Sequence, residues 1–240
     1  MPTTSLTTLL IDTASAWNIQ LTSTHVEQLR TYQDELQRWN AHTNLTAITS
    51  SEDIIRRHFL DSLRCATSWG ASLPHTLVDV GSGAGFPGIP LKIAFPALHI
   101  TLIESVAKKV AFLTHIAETL KLNDVTILHA RAETVGHQPP HREAYDVAIA
   151  RAVASLPVLA EYCLPLLRIG GRMLAPKGAS ITDEVAAANT ALARLGGQII
   201  AIEPVTIPQL EPRTLVVIEK TVATPGVYPR RPGTAVRKPL

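Results

Sequence analysis

The sequence predicts an α/β fold, a largely parallel sheet with helices on both faces, preceded by a helical segment. Three observations predict it. From Thr76 onward, short apolar runs alternate with helix-length segments. The last two apolar runs follow one another without a helix between them. Residues 1–72, by contrast, carry the 3.6-residue periodicity of helices and no strand-like alternation.

In chain order, Thr24 followed by Glu27 reads as a capping box ahead of Val26, Leu29, Leu36 and Trp39, which fall on one helix face. A second helix runs from Ser51 to about Trp69, with Ile55, Phe59, Leu63 and Ala66 as its apolar stripe. Asn44–Ile48 connects the two. TLVDV (76–80), HITLIE (99–104), VTILHA (125–130), YDVAIA (145–150) and GGRMLAP (170–176) are expected strands. Helices are expected at about 88–95, 106–121, 155–168 and 180–195. Repeated β-α units of this length give a parallel sheet covered on both sides. QIIAIEPV and RTLVVIEK then close it as antiparallel neighbours. The divisions expected are a helical extension (1–72), an α/β domain (73–220) and a basic, extended arm (221–240).

Hydrophobic content of 46% and charged content of 18% describe a globular chain with a sizeable core. The N-terminus has no basic region followed by a long apolar stretch, and no apolar run reaches membrane-spanning length. Cys65 and Cys163 stand far apart without C-x-x-C spacing, as reduced thiols do. A cytoplasmic protein, expected to be a monomer, follows. The net charge of +2 neither demands nor forbids a nucleic-acid partner. After Glu219, however, the chain carries Lys220, Arg230, Arg231, Arg237 and Lys238 and no acid. Aromatic content of 5% argues against recognition by stacked-base platforms.

VDVGSGAGFPGIPL is the most informative segment. A strand ends at Val80, and Gly81, Gly83 and Gly85 turn the chain into the next helix. In a doubly wound sheet a ligand lies beyond the carboxyl end of this first strand, where glycines allow close approach. Glu104 ends the next strand, placed to accept hydrogen bonds from ribose hydroxyls. Both features also suit NAD, since Gly83, Gly85 and Gly88 satisfy the dinucleotide fingerprint. Pro87 and Pro90 disfavour it, because they remove N–H groups that a pyrophosphate uses. A nucleoside without phosphates, such as S-adenosylmethionine, has no such need. Ala132 and Glu133 follow the third strand, at the expected edge of an adenine ring, and Arg151 follows the fourth. Glu133 is equally read as a solvent-facing acid in the first turn of a helix, and Arg151 as a structural partner of Asp79 or Glu104.

These blocks resemble the bacterial ribosomal RNA small-subunit methyltransferase G family, also called glucose-inhibited division protein B. The resemblance runs from about Trp39 to the C-terminus through WNAHTNLTAI, IIRRHFLDSL, VDVGSGAGFPGIPL, LIESVAKKVAFL, ARAE, YDVAIARAVASL, PKG and RRPGTAVRKPL. It implies a Rossmann-like, seven-stranded S-adenosylmethionine-dependent methyltransferase sheet with an N-terminal helical extension. It further implies methylation of guanine N7 in the decoding-region loop of 16S ribosomal RNA. The family's cofactor contacts fall here on Gly81, Phe86, Ala132, Glu133 and Arg151; its ribose-binding acid falls on Glu104, where many relatives have Asp. GHQPPHRE before Tyr145 departs from any fixed pattern and is expected to be a variable surface loop. An NAD-linked oxidoreductase and a non-catalytic nucleotide-binding module are the rival functions.

No catalytic base is singled out. Asn44 and Arg151 are the positioning candidates, and Arg56, Lys177, Arg230 and Arg231 the candidate RNA contacts. Lys108 and Lys109, like Arg57, read more simply as solvated helix faces. His58 and Asp61, spaced i, i+3, read as a tie anchoring the extension. His137 and His141 lack a third ligand at useful spacing, so no metal is expected.

Overall fold

The computed structural model describes residues 5–70, 72–151 and 154–240. Its helical extension begins with α1 (Leu6–Ala16), capped by the Ser5 hydroxyl, and α2 (Ser23–Thr43). The capping box of α2 is Thr22 with His25, not Thr24 with Glu27. Thr22 is the residue with extended backbone, and its hydroxyl accepts from the His25 N–H, so the helix starts earlier than expected. Asn44 ends α2 in the left-handed region (φ 49°), which Asn tolerates better than most residues. One continuous helical run follows. It comprises α3 (Ser51–Asp53), a π-helical stretch (Ile54–Leu60), α4 (Asp61–Arg64) and a 3₁₀ turn (Cys65–Ser68). Ile55, Phe59, Leu63 and Ala66 are buried as expected, but so are Ile54, Leu60 and Ser62. The run is therefore covered nearly all round, lying between the extension and the sheet rather than on the surface.

The sheet has seven strands: β1 (Thr76–Val80), β2 (His99–Glu104), β3 (Val125–His129), β4 (Tyr145–Ile149), β5 (Leu167–Lys177), β6 (Gly197–Val205) and β7 (Arg213–Lys220). Their order is β3-β2-β1-β4-β5-β7-β6, with β1 to β5 parallel and β7 antiparallel to both its neighbours. β7 inserts between β5 and β6, which leaves β6 as an edge with Ile200 and Ile202 exposed. Side-chain alternation divides the core into two. Leu77, Ile100, Leu102, Val147, Ile149 and Val217 face the extension, α5 (Gly88–Ala94) and α6 (Ala107–Thr119). Val78, Val80, Ile103, Ala148, Met173 and Ile218 face α7 (Ala132–Val135), α8 (Leu156–Cys163) and α9 (Thr182–Leu195). β1 has β2 on one side and β4 on the other, so the direction of winding reverses at its carboxyl end.

Two expectations fail on local grounds. The helix expected over 155–168 ends at Cys163, because Pro165 has no N–H to continue it, and β5 starts at Leu167. The tail is not an extended arm. Lys220 is fully buried, its Nζ donating to Glu143 Oε1 (2.7 Å) and the Leu164 carbonyl (2.8 Å). Arg142 donates to the carbonyls of Thr224 (2.7 Å) and Tyr228 (2.9 Å), so GHQPPHRE is the clamp that holds the tail. Beyond it the chain forms α10 (Thr234–Arg237), with Ala235 buried against α8.

Candidate functional site

The reversal point carries two adjoining cavities. The smaller, about 200 Å³, is bounded by Val80, Ile103, Ala130, Arg131, Ala132, Glu133, Tyr162 and Val236. The larger, about 350 Å³, is bounded by Leu45, Thr46, His58, the Gly81–Ala84 backbone, Phe86, Glu104, Lys109 and Arg151. Gly81 and Ser105 belong to both, so the two form one continuous groove across the strand ends.

Backbone hydrogen bonds fix the loop between them. The Gly81 and Ser82 N–H groups both donate to the Ile103 carbonyl (2.9 and 3.1 Å). Gly83 turns with φ 60°, and a Cβ there would meet only the Gly81 carbonyl oxygen at 3.9 Å, so its outer side is open to the groove. Gly85 serves a different purpose. A Cβ on it would sit 2.7 Å from the Tyr32 hydroxyl, which donates to the Ala84 carbonyl; its absence lets α2 dock on the loop. Gly85 lines neither cavity. Behind the loop, Asp79 Oδ2 accepts from the Gly88 N–H (2.9 Å), and buried Oδ1 has no partner among the described residues. Burial pushes the Asp79 carboxyl up to about 7, against the opposing pull of the Gly88 N–H and Arg151.

Glu104 lines the larger cavity, next in sequence to Ser105, which both cavities share. Its carboxylate accepts from the Gly83 (2.9 Å), Ser105 (2.7 Å) and Val106 (2.8 Å) N–H groups. It is buried, not an exposed strand end, and it braces the glycine loop as well as facing the larger cavity.

Arg151 is partnered neither by Asp79 nor by Glu104. Its guanidinium lies 5.4 Å from the Phe86 ring centre and donates to Asp61 Oδ2 (2.9 Å), the Arg57 carbonyl (2.8 Å) and His58 Nδ1 (3.0 Å). His58 stacks on Phe86 with ring centres 4.1 Å apart. The tie expected between His58 and Asp61 thus runs through Arg151, and Arg213 adds a second cation 3.5 Å from Asp61. Arg151 can only donate, so His58 Nδ1 bears a lone pair and the imidazole is neutral. Burial, then the adjacent guanidinium, pushes its pKa down to about 3, in the same sense.

Gly81, Gly83, Phe86, Glu104 and Arg151 therefore meet in the larger cavity, and Gly81, Ala132 and Glu133 in the smaller. Glu133 is buried and accepts from the Gly233 N–H of the tail (2.9 Å), so it is no solvent-facing acid. Asn44 is exposed and lines neither cavity. Three of the four candidate RNA contacts are internal ties. Arg56 is bound by Glu52, the Pro208 carbonyl and Gln209; Lys177 by Glu184 and the Ala154 carbonyl; Arg230 by Glu161. Arg231 is exposed. His137 and His141 bond the Pro229 carbonyl and the Tyr145 hydroxyl, and no metal-binding cluster occurs among the described residues. Sequence reasoning missed Thr46, Ser105, Tyr162 and Val236. Ser105, directly after the strand-end acid, was findable; Val236 reaches the groove only because the tail folds back.

The groove suits a nucleoside carrying an amino-acid chain. Val80, Ile103 and Ala132 offer apolar contact to a flat ring, and the Glu104 carboxylate lines the adjoining larger cavity. The larger cavity has room for more than the chain.

The fold is shared with the crystal structures of precorrin-6y C5,15-methyltransferase from Geobacter metallireducens (TM-score 0.52, 14% identity, 73% of this chain and 92% of that one) and geranyl diphosphate C-methyltransferase from Streptomyces coelicolor (0.53, 15%, 79% and 98%), the latter in complex with Mg²⁺, geranyl diphosphate and S-adenosyl-L-homocysteine. Much nearer in sequence are the ribosomal RNA small subunit methyltransferases G of Roseiflexus sp. strain RS-1, 60% identical over 97% of this chain and 99% of that protein, and of Chloroflexus aggregans, 55% identical over 97% of each. The family model for rRNA small subunit methyltransferase G matches residues 25–211. Thr46 and His58 of the extension, which wall the groove, and the glycine loop lie within that span, and the chain belongs to the rRNA small subunit methyltransferase G family.

Proposed function

We propose that this chain, in the cytoplasm and as a monomer, transfers a methyl group from S-adenosylmethionine to N7 of a guanine in the decoding-region loop of 16S ribosomal RNA. Membership of the family supports the substrate, and the groove supports the cofactor. The observation that carries the chemistry is the state of His58. Its Nδ1 accepts from Arg151 and its Nε2 lies 3.0 Å from the Thr46 hydroxyl, so neither nitrogen is free to take a proton. Guanine N7 carries no proton and attacks through an in-plane lone pair, so none has to be taken.

S-adenosylmethionine supplies an electrophilic methyl on a sulfonium. The chain's residues supply position and field. Glu104 is the acceptor for ribose hydroxyls, and Ala132 and Glu133 edge the adenine slot. The Gly81–Ala84 backbone forms the floor, and Arg151 is held against Phe86, where it acts by orienting.

Single-turnover transfer to small subunits from a strain lacking this gene is expected to yield 7-methylguanosine at a rate nearly flat between about pH 6 and 8.5, the range in which an ordinary histidine titrates. A rate rising tenfold per pH unit below about 7, and lost in His58→Ala, would overturn the base-free mechanism. Calorimetry separates the rival functions: tight NAD binding without affinity for S-adenosylhomocysteine would end this reading. Binding without transfer to any ribosomal substrate would leave a nucleotide-binding module.

A further inference from the structure

Thr46 lies on the connector after α2 and is the point where the helical extension presents a hydroxyl to the larger cavity. Its hydrogen-bonding state follows from its neighbours. Because Arg151 donates to His58 Nδ1, the imidazole proton resides on Nε2 and is directed at Thr46 Oγ1, 3.0 Å away. The Ile48 N–H donates to the same oxygen (3.1 Å). Both lone pairs of the hydroxyl are thereby used, and its own hydrogen has no acceptor among the described residues. The connector is itself rigid, since Asn40 Oδ1 accepts from the Leu45 (2.6 Å) and Thr46 (2.9 Å) N–H groups and Asn40 Nδ2 donates to the Thr46 carbonyl (2.8 Å). The chain Asp61–Arg151–His58–Thr46 therefore ends in one oriented O–H donor on the cavity wall.

Resting on the guanine-N7 reading above, we propose that the Thr46 hydroxyl donates to O6 of the target guanine and so selects guanine and aims its N7. O6 and N7 are the adjacent acceptors on one edge of guanine, whereas adenine presents an amino donor beside its N7. A lone O–H donor accepts the first arrangement and is left without an acceptor by the second. Contact at O6 leaves the N7 lone pair free. The amino-acid carboxylate of the cofactor calls for a charged donor, which Lys109 supplies in the same cavity. Thr46, moreover, stands on the extension and not among the strand ends that hold the nucleoside.

The test compares guanosine with 6-thioguanosine at the target position of reconstituted small subunits, because sulfur at C6 is a weaker acceptor while N7 is retained. Wild-type enzyme is expected to transfer about tenfold faster to the oxygen substrate in single turnover. Thr46→Val is expected to be slower on guanosine by a similar factor and to lose the preference, and Thr46→Ser to keep it. S-adenosylhomocysteine affinity stays unchanged in both variants. A merely structural Thr46 would slow both substrates equally, so an oxygen preference that is unchanged in Thr46→Val overturns the proposal. A fall in S-adenosylhomocysteine affinity matching the loss of rate also overturns it, reassigning Thr46 to the cofactor. Should Thr46→Val not fold, Thr46→Cys, which keeps an acceptor but weakens the donor, is read in the same way. If wild type forms no 7-methylguanosine on the ordinary substrate, the functional reading itself has failed.

Discussion

At the scale of single residues, His58 on the groove wall and Asp79 behind the glycine loop are two titratable groups that oppose each other. His58 is kept neutral in the folded chain, its pKa near 3 against about 6.5 when unfolded. Its contribution to stability is present above pH 6.5 and is lost as pH falls through that range, because only the unfolded chain takes up the proton. Asp79, raised to about 7, is protonated in the fold while the unfolded carboxyl is already ionised, so its contribution is lost as pH rises from about 4 to 7. Each slope is ~1.4 kcal/mol per pH unit, with opposite sign. Over pH 4–6.5 they offset one another. Relative to wild type, Asp79→Asn is expected to gain stability as pH rises through this window, and His58→Gln to lose it. Chemical denaturation at several pH values measures both differences; parallel wild-type and variant profiles would show that neither group is held in the state described.

At the scale of elements, the C-terminal segment is a strap. Arg230 closes a bidentate pair with the buried Glu161 carboxylate of α8 (Nη2 to Oε2 2.6 Å, Nε to Oε1 2.8 Å), and the Arg230 backbone N–H donates to the same group (2.8 Å). Beyond it, the Gly233 N–H is held by Glu133, and Val236 reaches the smaller cavity. Arg230→Met leaves Glu161 buried without its counter-charge, and a loss of about 3 kcal/mol is expected. Because the strap also walls the nucleoside slot, S-adenosylhomocysteine binding is expected to weaken with it. Denaturation and calorimetry on one variant read both effects. A stability loss below about 1 kcal/mol would fit a surface pair and not a buried one.

At the scale of the whole molecule, the distribution of free charge in the fold differs from the count in the sequence. Arg56, Lys177, Lys220 and Arg230 are consumed by internal partners, whereas Arg231, Arg237 and Lys238 on the strap are exposed. Converting these three to Gln is expected to weaken RNA binding and to lower the salt slope by about 2 to 3, with little change in S-adenosylhomocysteine affinity. Arg56→Gln and Lys177→Gln are expected to reduce thermal stability and leave the slope intact. A salt slope that followed Arg56 and Lys177 instead would place the RNA on the opposite reading of these residues.

The seven strands, the glycine turn and the strand-end acid were legible in the chain because each depends on short-range pattern: apolar runs, residues without a Cβ, an acid directly after a run. TLVDV, HITLIE and RTLVVIEK match β1, β2 and β7 residue for residue. The partners of the charged groups were not legible. Asp61 and His58 meet Arg151 across ninety or more positions of sequence, and Glu161 meets Arg230 across sixty-nine. Local pattern records that a residue is basic or polar, but whether its charge faces RNA, a cofactor or a buried carboxylate depends on which distant element packs beside it. Gly85 shows the same division within one residue. Its glycine could be read from the turn, yet the reason for it is the Tyr32 hydroxyl brought there by the docking of α2.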